Sequence, residues 1–173
     1  MPKTARDVMI DLDRYPHALD TQTLWDAVEL LQKAQIDFGG HVSMPRVVLV
    51  FDAENHFLGM ARRRDILRGL EPEFHQDFVE SHPEAHFSAE IDPNLSDLVG
   101  EADSERLRAR LDKPLRDVVR EMPAKVAVDD SLMKVVRELV GKDTHIAAVL
   151  DDSQVVGVVR SLDVLRAVTK GLD

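Results

Sequence analysis

The chain contains an internal repeat, and that repeat constrains its fold more than any other feature. Asp7-Val8-Met9 is answered 110 residues later by Asp117-Val118-Val119. Thr23 followed by Leu24-Trp25-Asp26-Ala27-Val28-Glu29-Leu30-Leu31 is answered by Ser131 followed by Leu132-Met133-Lys134-Val135-Val136-Arg137-Glu138-Leu139. In both, apolar residues recur at i, i+3, i+4 and i+7 (Leu24, Ala27, Val28, Leu31; Leu132, Val135, Val136, Leu139), which predicts a helix with one buried face. Thr23 and Ser131 stand where a hydroxyl caps the first free amides. Two apolar runs then flank a polar turn in each copy: Val47–Phe51 with Phe57–Ala61, and Ile146–Leu150 with Val155–Val159. That pattern predicts a β-hairpin. A second helix follows each, at Arg64–Arg68 and Leu162–Arg166. Gly59 to Gly157 and Asp65 to Asp163 share one offset of 98 residues, so the last third of each unit aligns without a gap. A duplication of this length makes two units that stack on one another the natural architecture.

Charge separates the copies from what lies between them. The 173 residues carry a formal net charge of −10. Residues 71–112 hold 12 Asp and Glu against three arginines, so this segment contains nearly the whole imbalance and the repeats are close to neutral. The sign argues against a polyanion-binding surface, so neither nucleic acid nor an anionic membrane is an expected partner. There is no cysteine, hence no disulfide frame and no thiolate metal site. The apolar runs are too short to span a bilayer. The first residues lack the apolar stretch of a signal peptide. A cytoplasmic protein is the expectation.

The ordered pattern of an Asp-Val-Met lead, a strand, a capped helix, two strands and then Gly-apolar-apolar-x-x-x-Asp-apolar-Leu resembles the cystathionine-β-synthase (CBS) domain. Two copies in register resemble the tandem arrangement called a Bateman module. The resemblance implies an α+β fold of two β-α-β-β-α repeats, at residues 4–70 and 113–170, related by a pseudo-twofold axis. The acidic, partly helical insert at 71–112 lies between them. It further implies disc-like homodimers and a non-enzymatic sensor that binds an adenosine-containing ligand (AMP, ADP, ATP or a relative) in clefts between repeats. No cofactor is required, and a regulated partner protein is implied.

By position in the family motif, Asp65 and Asp163 are the ribose-facing carboxylates, apt because a carboxylate accepts hydrogen bonds from both hydroxyls of a diol. Gly59 and Gly157 would let a base approach the backbone, with Val8 and Val118 walling the adenine. The sequence departs from the motif twice, in the same way. The usual Ser or Thr is Arg62 in the first copy and Arg160 in the second. That substitution forfeits a helix cap worth about 1 kcal/mol. An arginine there can grip phosphates in bidentate fashion, or its length can fill the pocket. Arg62, Arg63 and Arg64 form a basic run in an otherwise acidic protein, so with Arg160 they are the candidate phosphate ligands. The alternative expectation is a dimerisation and protein-interaction module whose pockets are filled by arginine and whose acidic insert meets a partner.

The remaining polar residues carry less. Leu95, Leu98 and Val99 suggest helical pieces in the insert, broken by Pro72, Pro83 and Pro93. His82 and His86 have the i,i+4 spacing of metal ligands on a helix, but Pro83 lies between them, so no metal site is expected. No nucleophile–base motif or phosphate-binding glycine loop is present, and no catalytic residue is assigned. The first copy has roughly ten extra residues around Phe38–Pro45, whose glycines suggest a flexible loop near the cleft.

Overall fold

A computed structural model describes residues 4–71 and 101–170. Each repeat builds the expected unit. In the first, β2 (His17–Leu19) pairs in parallel with β5 (Val47–Phe51), which pairs antiparallel with β6 (Phe57–Arg62). Helix α1 (Leu24–Lys33) lies between β2 and β5 in sequence, and α2 (Arg63–Gly69) follows β6. The second repeat has the same order: β7 (Lys125–Ala127), α4 (Leu132–Gly141), β8 (Ile146–Asp151), β9 (Gln154–Arg160) and α5 (Ser161–Thr169).

The helices start where the hydroxyls stand. Thr23 Oγ1 accepts from the Asp26 amide at 3.2 Å, and the Asp26 carboxylate accepts from the Thr23 amide at 2.8 Å. These two bonds satisfy two otherwise free donors. Ser131 Oγ accepts from the Lys134 amide at 3.3 Å. Leu24, Ala27 and Leu31 on α1, and Val135 and Leu139 on α4, are buried against their own sheets.

The two repeats exchange their leading segments. Strand β1 (Ile10–Asp11), at the start of repeat 1, pairs with the free edge of β9 in repeat 2. At the equivalent place Arg120, at the start of repeat 2, bridges Met60 on the edge of β6 in repeat 1, with N–H···O distances of 2.8 and 2.9 Å. The side chains cross with the backbone. Ala5 and Val8 lie in the sheet–helix core of repeat 2, and Leu115 is fully buried in that of repeat 1. Full burial of a leucine contributes roughly 1.5–3 kcal/mol. A third core lies between the repeats and joins Ile10, Val47, Leu49 and Met60 to Met122, Ile146, Ala148 and Val158. Each sheet thereby has one face on its helices and the other on its twin.

Gly59 and Gly157 are the residues at these crossings. A Cβ on Gly59 would lie 2.1 Å from the Arg120 carbonyl oxygen, and one on Gly157 would lie 2.4 Å from that of Ile10. Gly59 also adopts φ +147°, a conformation that a side chain disfavours. The backbone these glycines admit is therefore the chain's own. The space foreseen for a flat base is taken by the exchanged segment.

The extra residues of the first copy form a hairpin and not a loose loop. Strands β3 (Ile36–Phe38) and β4 (His41–Ser43) are joined by Gly39 and Gly40 at φ +62° and +78°, the left-handed turn that glycine allows and that matches strand twist. In the insert, α3 (Glu101–Leu111) ends beside repeat 1, where Arg110 donates to the Leu70 carbonyl at 3.1 Å. Leu95, Leu98, Val99, His82 and His86 lie outside the described residues.

Replacing Gly59 by Ala should cost about 3 kcal/mol, from overpacking against a carbonyl together with backbone strain. Gly157→Ala should cost about 2 kcal/mol, from overpacking alone. Urea unfolding measures both. A loss below about 0.5 kcal/mol, the scale of an ordinary surface change, would contradict the exchanged edges.

Candidate ligand cleft

Strands β6 and β9 end at Arg62 and Arg160, and each arginine turns back onto the aspartate three residues later. Arg62 Nε and Nη2 donate to Asp65 Oδ2 and Oδ1 at 2.7 and 3.0 Å, and the Arg62 amide donates to Oδ2 at 3.1 Å. Arg120 Nε, brought in by the exchanged segment, reaches Asp65 Oδ1 at 2.7 Å. In the second copy Arg160 Nε and Nη2 donate to Asp163 Oδ2 and Oδ1 at 2.6 and 2.9 Å. Arg68 and Arg166 stand 3.8 Å from the same carboxylates. Asp65 is 2% exposed and Asp163 0%. Both aspartates predicted to face a ribose are thus buried and bridged by a planar fork that matches a carboxylate's two oxygens. The guanidinium does for the buried carboxylate what the missing hydroxyl could not: it neutralises the charge while satisfying its lone pairs.

The electrostatics follow from this pairing. Burial by itself would raise the Asp65 carboxyl. The bonds from Arg62, its amide and Arg120 outweigh burial and hold the carboxyl below the usual range. Tyr15, beside Arg160, has its phenol pushed up to about 12, chiefly by burial.

Between the two repeats lies a cleft of about 440 Å³. Arg46 and Arg63 line it from the first repeat, and His145 and Arg160 line it from the second. Arg46 directly precedes β5 and His145 directly precedes β8. Their neighbours Val47 and Ile146 pair with Arg62 and Arg160 respectively, so Arg46 and His145 hold equivalent places in the two copies. No carboxylate is among the lining residues. His145 keeps an exposed edge, yet partial desolvation, then the like charges of Arg46 and Arg62, lower its imidazole below the ordinary value. Arg63 donates to the Pro45 carbonyl at 2.9 Å, and Arg160 Nη1 donates to Ser43 Oγ on the β3–β4 hairpin at 2.7 Å.

The other sequence candidates lie elsewhere. Arg64 is exposed and is not among the cleft's lining residues. Val8 sits in the core of repeat 2, and Val118 packs half-buried on that of repeat 1. The sequence alone does not mark Arg46, His145, Ser43 or Arg120 as site residues. A basic or histidine residue just ahead of each β-hairpin was the available signal for the first pair. Asp52, Glu54 and His56 cluster at a hairpin turn, but the turn accounts for them. Asp52 Oδ1 accepts from the Glu54 and His56 amides at 3.0 and 2.7 Å, and Oδ2 meets His56 Nδ1 at 2.9 Å.

The CBS domain family matches residues 5–72 and 114–170, both repeats. The chain belongs to the CBS domain family. A comparison with curated proteins finds no match. Solved structures share its fold at low identity. A CBS domain-containing protein of Kribbella flavida superposes with TM-score 0.69 at 16% identity, over 97% of this chain and 99% of that one. CBSX2, solved in complex with AMP, gives 0.62 at 18%, over 99% and 100%. The CBS domain of a bacterial CNNM/CorC family Mg2+ transporter gives 0.59 at 18%, over 94% and 73%. Among the described residues no helix is long and apolar enough to cross a membrane.

The Asp65 carboxylate makes the acid limb of stability testable. Its folded pKa lies below the ordinary value of 3.8. The stabilisation is therefore present above that ordinary value and is lost as pH falls through the folded one. Asp65→Asn should lower stability by about 2 kcal/mol at pH 7, between surface and buried pairs. Its deficit against wild type should shrink as urea unfolding is repeated below about pH 4. A deficit that grows with acidity would contradict the pairing.

Proposed function

We propose that this CBS protein is a non-enzymatic regulatory module that binds a phosphorylated adenosine ligand (AMP, ADP, ATP or a relative) in the cleft between its repeats. The single observation that carries this reading is the cleft's charge. In a chain of net charge −10, the cavity shared by both copies is lined by Arg46, Arg63, His145 and Arg160 with no acid among them; Arg160 is already paired with Asp163, so the surplus positive charge is that of Arg46 and Arg63. Such a pocket focuses a positive field on a small anion. The AMP complex of CBSX2, a protein of the same fold, supports the nucleotide class. Arg63 and Arg160 take the phosphate role here, joined by Arg46 and His145. Asp65 and Asp163 become ribose acceptors only if their arginines swing away. A ligand touching both repeats shifts the equilibrium between arrangements of the two by its differential affinity for them. A regulated partner protein would sense that shift, in the cytoplasm.

A second reading has its own observation. The closed Arg62–Asp65 and Arg160–Asp163 pairs fill the places where a nucleoside would dock, as a purely structural module would require. Self-association serves either reading. Met133 and Val140 on α4, with Leu162, Leu165 and Val168 on α5, expose apolar side chains that a second copy would cover.

Titrating AMP, ADP, ATP, S-adenosylmethionine and NAD against unfolding separates the two. A true ligand at a hundredfold excess over its Kd should stabilise by about 2.7 kcal/mol. Arg63→Ala should weaken that ligand about tenfold, the loss of one charge-assisted contact. A dimer that responds to none of the five would favour the structural module.

A further inference from the structure

The cleft also indicates which part of the ligand is read; this rests on the reading that the cleft is the ligand site. A nucleotide offers three handles: base, ribose and phosphates. At the motif's glycines, the approach foreseen for a base is closed by the carbonyls of Arg120 and Ile10, which leaves a base only the apolar part of the cleft wall, Met44, Pro45, Val47, Ile146 and Leu162. For the ribose, both carboxylates placed to accept it are buried, with both oxygens of each already bonded to a guanidinium. Opening the second pair to admit a diol would leave the buried Asp163 with only Arg166, at 3.8 Å, and opening the first would leave the buried Asp65 with Arg120 as its one bonded guanidinium; two hydroxyl bonds do not compensate for the charged fork each would lose.

The phosphate handle meets the opposite situation. Arg46 has no carboxylate beside it among the cleft's lining residues, and Arg63 spends one Nη2 bond on a neutral carbonyl. The outer nitrogen of Arg160 is turned to a neutral hydroxyl, Ser43 Oγ, which a charged oxygen can replace at a gain. These donors come from both repeats and meet across one cavity.

We infer that the cleft is built for an oligophosphate, a di- or triphosphate group that bridges the repeats between Arg46 and Arg63 on one side and His145 and Arg160 on the other. The two Arg–Asp pairs stay closed, so selectivity comes from phosphate number and not from the nucleoside. Nucleoside di- and triphosphates and inorganic oligophosphates are ligands of one class. Adenosine is not a ligand.

The test is calorimetric titration of the full chain, at fixed ionic strength, with inorganic triphosphate, pyrophosphate, ATP, AMP, adenosine and sulfate. The expected result is a Kd for inorganic triphosphate within about threefold of that for ATP. AMP and sulfate should be weaker by at least about tenfold, with no heat from adenosine. Arg46→Glu should weaken both triphosphates by at least about tenfold, since it reverses one of the contacting charges. ATP binding without triphosphate binding, or AMP and adenosine binding as tightly as ATP, would overturn the inference while leaving a nucleotide-binding module standing. ATP affinity unchanged by Arg46→Glu would overturn it too. Silence from all six ligands would remove both this inference and the nucleotide reading beneath it.

Discussion

The exchange of leading segments underlies the rest of the molecule. A three-stranded sheet of this size has an edge with unpaired amides and carbonyls, and a face that its two helices cannot cover. Each repeat solves the edge by accepting backbone from the other, β1 against β9 and Arg120 against β6. Each solves the face by stacking on its twin through Met60, Met122, Ile146 and Val158. The same crossing puts Ala5 and Val8 into the core of repeat 2 and Leu115 into that of repeat 1, so neither copy has a complete core alone. It also fixes the ends of β6 and β9 relative to one another, and those ends carry the cleft.

The exchange has an electrostatic consequence too. Because the crossing segment runs past Gly59, it delivers Arg120 to Asp65, while the equivalent residue in the other crossing is Ile10. Asp65 therefore answers to two bonded guanidinium groups, and Asp163 to Arg160 alone, with Arg166 at 3.8 Å. The β3–β4 hairpin adds a second asymmetry. It exists only in the first copy, yet its Ser43 contacts the arginine of the second. The cleft is thus pseudo-symmetric in backbone and unequal in chemistry, with an Arg46 where the twin position has His145.

The sequence was legible where local physics decides. Periodicity and caps located α1 and α4, and turn-bounded apolar runs located the hairpins β5–β6 and β8–β9, because those signals act within a few residues. The matched offsets paired the repeats. Long-range consequences were not legible. Nothing local to Gly59 says that its neighbour will be Arg120, more than fifty residues away, and so the sequence by itself offers the glycine as room for a base. Arg62 and Arg160 left two outcomes open, phosphate grip or filled pocket. The carboxylate nearest each decides the geometry: at i+3 on a helix start it lies within reach of the fork. Arg46 and His145 are not legible in the sequence because each is a lone polar residue ahead of an apolar run, with meaning only once the two repeats face each other.

At the centre of this account is one anion held between two repeats by side chains from both. A crystal structure of the protein grown with ATP tests that claim most directly. The account predicts the phosphate chain lying across the cleft, with oxygens within hydrogen-bond reach of Arg46, Arg63, His145 and Arg160 Nη1, and the Asp65 and Asp163 carboxylates still bonded to their arginines. A nucleotide with its ribose on either aspartate and the guanidinium displaced, or a ligand bound outside the cleft, would contradict it.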